Sequence, residues 1–218
     1  MKNITVVHEV TGSAFYEIVK NIILMGQRGA FLTHYDVEDY EKMRKTVVLN
    51  DKSAGICVKE DGDVVSVFKS YDENNYLENA LDSLMPIALI NGGSKLDCFG
   101  EYLTRRYIEH GFVPVAKCKF SEEDAPKNWD FDKFGKPDIY FMCRFTKDLD
   151  KLVSTLKYLK KSENVLKQVD DFLPYFTYDQ ALNYRNSVLE YLNNNELGYN
   201  EVVTLLRNGS FLPLDKNR

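Results

Sequence analysis

Strand-like residues stop part-way along this chain, and that narrows the possible folds more than any other feature. Up to Phe145, short β-branched or aromatic runs alternate with stretches of helical spacing; from Lys147 to the end no strand signal recurs. This order predicts an α+β domain over residues 1–146, with a mixed, mostly antiparallel sheet flanked by helices, and an all-helical extension over residues 147–218. No low-complexity linker and no internal repeat interrupts the chain.

Within the first part, a short strand is expected at residues 4–7. A helix is expected at 13–24, where Phe15, Ile18, Val19, Ile22 and Ile23 share a face and Ser13 is the N-cap candidate. Residues 37–49 read as a second amphipathic helix capped by Asp36. The run SAGICVKEDGDVVSVFKS reads as two strands joined by a tight turn at residues 60–63, because Asp and Gly both tolerate the positive φ of primed turns. Residues 75–90 form a mostly apolar helix that ends at Gly92-Gly93 and that Pro86 should kink or split. A strand at 95–99, a helix at 101–110 and strands at 113–120 and 138–145 complete the part. In the extension, residues 147–173 are helical by period. Thr177 and Gln180 have capping-box spacing before a helix at 178–192, and a last helix at 199–207 stops at Asn208-Gly209.

The formal net charge of −5 argues against nucleic acid or an anionic membrane as a whole-molecule partner. Cys57, Cys98, Cys118 and Cys143 are far apart and include no CxxC pair, so they read as small buried hydrophobes, and no metal site is expected. No run approaches the ~20 apolar residues of a membrane span and the first residues lack a signal-peptide pattern, so a reducing, cytoplasmic setting is expected.

The order helix, helix, hairpin, apolar helix, strand, short helix ending in Gly-Phe, strand, strand resembles the GNAT acyltransferase superfamily over residues 1–146. The run RRYIEHGF is similar to that family's tyrosine four residues before Gly-Phe. The stretch Ala125-Pro126-Lys127-Asn128-Trp129 resembles acetyltransferase-like domains encoded by phages and mobile elements. The resemblance implies an acetyl-coenzyme A cosubstrate lying beside the strand at 64–69, with its pyrophosphate at the start of the helix at 75–90. It also implies transfer of an acetyl group to an amine.

Carried over residue by residue, the resemblance makes Tyr107 the acid that protonates the departing thiolate. Backbone groups of Val65, Ser66, Val67 and Phe68 would bind the pantetheine arm, and Asn74 and Asn75 would lie near the pyrophosphate. Asp97 is the carboxylate considered for deprotonating the acceptor amine, or else a partner for Lys95 or Arg105. The phosphate loop departs from the family's glycine-containing pattern. It reads SYDENNYLENAL, with Asp72, Glu73 and Glu78 repelling a diphosphate. The alternative is therefore a catalytically inactive GNAT fold that docks a protein partner. His34 and His110 are expected at the surface. Trp129, just before Phe131 and Phe134, would pin a loop or form a lid. Lys157, Lys160, Lys161 and Lys167 would make a solvated helix face.

Overall fold

A computed structural model describes residues 6–25, 27–70, 80–159 and 165–209. The chain gathers into two compact units, Met1–Gly93 with Pro126–Trp129, and Ser94–Ala125 with Asp130–Arg218.

The first unit holds strand β1 (Val7–Glu9), helices α1 (Gly12–Leu24) and α2 (Val37–Glu41), strands β2 (Lys45–Leu49), β3 (Ala54–Val58) and β4 (Val64–Lys69), and helix α3 (Ala80–Ile90). The strands pair antiparallel in the order β1-β2-β3-β4. The cap of α1 is Thr11 rather than Ser13: its hydroxyl accepts the Ala14 amide at 3.2 Å, while the Ser13 amide donates to Glu41 from α2 at 2.7 Å. That approach requires Gly12, where a Cβ would run into the Tyr40 carbonyl. Phe15 of α1 packs against Tyr40 and Phe68, with ring centroids 5.3 and 5.8 Å apart, and these three anchor the core below the sheet. Helix α3 runs unbroken through Pro86, so the proline does not split it.

Residues 37–49 are not one helix. Helix α2 ends after Glu41 and Lys45–Leu49 is a strand, four of whose five residues are buried. A helix presents one apolar stripe to a core, whereas Thr46, Val47, Val48 and Leu49 are consecutive and are buried together only in an extended strand covered on both faces. The expected turn forms at Gly62 (φ 83°), where the Lys59 amide donates to the Asp63 carbonyl at 2.9 Å.

The second unit holds β5 (Lys95–Phe99), α4 (Gly100–Ile108), β6 (Phe112–Cys118), α5 (Phe131–Phe134), β7 (Ile139–Arg144), α6 (Leu149–Leu159), α7 (Val165–Val169), α8 (Tyr178–Asn195) and α9 (Tyr199–Arg207). Its sheet has the antiparallel order β5-β7-β6. Helix α8 opens with the expected reciprocal box between Thr177 and Gln180 and lies across all three strands. Ala181 joins Ala116, Cys118 and Phe141 in one apolar cluster there. On the other face, α4 places Thr104 against Cys98 at 3.5 Å, with Met142 alongside.

The β6 side of the sheet is closed by a strap. The Lys117 amide donates to the Pro174 carbonyl and the Phe176 amide to the Lys117 carbonyl, both at 2.9 Å. Beside it, Asp170 accepts from Lys117 Nζ at 3.1 Å and from the Tyr140 hydroxyl at 2.9 Å.

Candidate functional site

Tyr107 stands in the last turn of α4, four residues before Gly111. Gly111 has φ 89° and lies against Leu152 of α6, where a Cβ would collide, so the Gly-Phe pair is a turn that turns the chain from α4 into β6. The Tyr107 ring is 6% exposed and meets Phe112 edge-on at 6.3 Å. Burial drives its phenol far above the ordinary tyrosine range, and the Cys98 and Asp97 side chains push the same way. Tyr107 therefore stays protonated well beyond neutral pH.

Asp97 projects from β5 in the opposite sense to Cys98, onto the face covered by α8. There the Tyr178 hydroxyl donates to Asp97 Oδ2 at 3.2 Å, and Arg185 Nη1 lies 3.6 Å from Oδ1. Phe141, paired with Asp97 in register, meets Tyr178 edge-on at 5.1 Å. Tyr107 packs on the α4 face and Asp97 is held on the α8 face, so the sheet stands between the two candidate acid–base groups. Lys95 reaches Asn186 at 3.3 Å and Arg105 pairs with Glu101 at 2.5 Å.

The partners of Asp97 were missed in the sequence, although Arg185 carried a signal. Ala181, Arg185, Val188 and Leu192 are the buried positions of α8, spaced four, three and four apart, so the arginine interrupts an apolar stripe. A charge in such a stripe implies a buried partner.

In the first unit, β4 carries a bulge. Cys57 pairs with Val65 and Gly55 with Phe68, so Ser66 and Val67 together face the single residue Ile56. Ser66 adopts φ 50°. Its hydroxyl is buried and lies 2.7 Å from the Tyr40 hydroxyl, whose pKa burial pushes up to about 12. Val65 and Phe68 pack on the core shared by α1 and α2, and Val67 is half-buried. Strand β4 ends the order of its sheet, so its outer backbone side takes no strand partner within that sheet among the described residues. Asn74 and Asn75 lie outside the described residues.

The remaining candidates are ordinary. The four cysteines are free and buried, with burial pushing the Cys57, Cys98 and Cys143 thiols up to about 12 and Cys118 to about 11. His34 is exposed, as expected, but His110 is only 3% exposed, because the turn at Gly111 folds it inward. Trp129 is buried against Phe31 at 4.9 Å and pins its loop. Lys167 is exposed, whereas Lys160 and Lys161 lie outside the described residues. A hollow of about 400 Å³ beside Ser154, Thr155 and Tyr199 contains Glu201, whose carboxylate already accepts the Gly198 amide at 2.6 Å. Among the described residues no three His, Cys, Asp or Glu side chains group as a metal site, and no helix is long and apolar enough to cross a membrane.

No family model and no curated protein matches the sequence. Among solved structures, the chain is similar to a GNAT-family acetyltransferase from Streptococcus pneumoniae (TM-score 0.43, 15% identity, covering 64% of this chain and 98% of that one). It is also similar to a putative N-acetyltransferase from Lactobacillus plantarum (0.39, 16%, 65% and 98%) and to Ard1 from Thermoplasma volcanium (0.36, 11%, 64% and 96%). Likenesses at that level do not assign an activity. The chain's own order is α1, α2, β2, the β3–β4 hairpin, α3, β5, a short α4 followed by Gly-Phe, β6, the short α5 and β7, with helices following; β2 stands where a helix is expected from the sequence.

Proposed function

We propose that this protein is an acyl-coenzyme A-dependent N-acyltransferase that moves an acetyl group to an amine. Tyr107 carries the reading: a tyrosine four residues before Gly-Phe, at the end of α4, whose buried phenol keeps its proton at neutral pH. In this reaction the amine attacks the thioester carbonyl, a C–N bond forms, the C–S bond breaks and the sulfur leaves as a thiolate. Tyr107 hydrogen-bonds that sulfur and passes it a proton, which the water that took the amine's proton returns to the phenol. The pantetheine arm lies along the backbone of Val65–Phe68, whose outer side has no strand partner within its sheet among the described residues. Water takes the amine's proton, because Asp97 is engaged by Tyr178 and Arg185 and serves to hold α8. Asn74 and Asn75 supply donors to the pyrophosphate in this reading.

Calorimetric titration with acetyl-coenzyme A and with coenzyme A is the test, repeated on Tyr107→Phe. Micromolar binding by both proteins, with turnover lost only in the variant, is the expected result. Absence of binding up to millimolar ligand overturns the reading and leaves a GNAT-like fold whose work is to dock a protein partner.

A further inference from the structure

We propose that Tyr40 is a positioning residue: its hydrogen bond to Ser66 latches β4 in its bulged form and so sets the backbone that the pantetheine arm meets. The ligand half of this statement rests on the acyltransferase reading; the latch does not.

The register shows what the latch achieves. Side chains of a regular strand alternate, so Ser66 would follow Val64 to one face and Val65 would point to the other. Val64 does lie toward the α3 end, against Gly93, and Val65 toward the α1–α2 core. Ser66 breaks the alternation. It turns to φ 50°, and its hydroxyl reaches Tyr40 of α2. Because of the extra residue, Val65 and Phe68, three apart rather than two, both land on the α1–α2 core, opposite Cys57 and Gly55. Gly55 leaves room for the Phe68 ring, which a Cβ there would strike.

A serine in the left-handed region is strained by its own Cβ, and something must offset that strain. Three aromatic contacts fix Tyr40 itself: Phe15 at 5.3 Å, Tyr35 at 5.8 Å and Tyr16 at 6.4 Å. Its phenol is therefore held by packing, and the 2.7 Å contact transmits that fixed position to Ser66. The bulge in turn redirects the backbone groups of Ser66 and Val67.

Alanine and glycine at position 66 separate this latch from an ordinary core contact. Both lack the hydroxyl, but only alanine keeps the Cβ that strains the left-handed backbone. Amide hydrogen exchange at residues 65–68 is read on the full chain without ligand, for the parent, Ser66→Ala, Ser66→Gly and Tyr40→Phe. Expected is exchange about ten-fold faster in Ser66→Ala and Tyr40→Phe, the factor equivalent to the left-handed penalty of an L-residue, with Ser66→Gly near the parent. Tyr40→Phe should also be silent in the Ser66→Gly background. Equal behaviour of the alanine and glycine variants, whether both fast or both slow, overturns the latch. The two changes at position 66 are small enough to keep the comparison available if Tyr40→Phe folds poorly. Calorimetry with coenzyme A then reads the second half: weakened binding is expected in Ser66→Ala and retained binding in Ser66→Gly. If the parent binds no coenzyme A, the acyltransferase reading fails while the exchange contrast still judges the latch.

Discussion

A phenol as buried as that of Tyr107 stays protonated well beyond neutral pH, so in the proposed reaction its removal costs an acid and not a base. Tyr107→Phe keeps the ring against Phe112, so stability should change by no more than ~1 kcal/mol. Turnover should fall by roughly 10²–10⁴-fold, the usual contribution of a positioned acid. The sign of the pH effect follows from the raised pKa. The protonated form persists through the ordinary tyrosine range, so no alkaline loss of rate from this group should appear below pH ~10, as a kcat profile would check. The cysteines invite a second test. Burial disfavours each thiolate, so iodoacetamide at pH 8 should modify none of the four in the folded protein and all four after unfolding, read by mass spectrometry. Their burial was legible in the sequence, since each sits in an apolar strand-like run. His110 was not, because the histidine is hidden by a turn whose direction depends on Gly111 and on a helix about forty residues away.

Among the elements, those with one apolar face and a clear stop were legible. The strand at 95–99 and the helix at 199–207 occur with the expected bounds. Strand β2 was not legible. Its apolar residues follow an Asp-capped helical start with no break in polarity, and only the paired strands on both sides make an extended form favourable. The contact of α8 with β5 was hidden for a related reason: spacing along α8 marks Arg185 as inward, but no local pattern names Asp97 as what it meets. Asp97→Asn leaves the Arg185 charge buried with a weaker partner. Chemical denaturation should show a loss of ~2–4 kcal/mol, toward the lower side for a buried pair because the Asp97 side chain is 30% exposed. If the variant, once folded, still turns over substrate at near-parental kcat, the carboxylate is not the base for the amine.

For the molecule as a whole, the described residues beyond 146 differ from the rest in the elements they form, yet in contact they are continuous with the three-stranded sheet. Ala116, Cys118 and Phe141 are covered by Ala181, and Leu152 packs on Gly111. A chain ended after Thr146 therefore loses the cover of one sheet face. It should be recovered as an aggregating or dye-binding species rather than a cooperatively folded one, as near-ultraviolet dichroism and binding of a hydrophobic dye would report. The strap at Pro174–Phe176 bears on another property. Its two backbone bonds to Lys117 occupy a place where a neighbouring molecule's strand would otherwise add. The strap thus acts as a terminator at the β6 edge, where a strand from another copy finds the Lys117 backbone groups already taken.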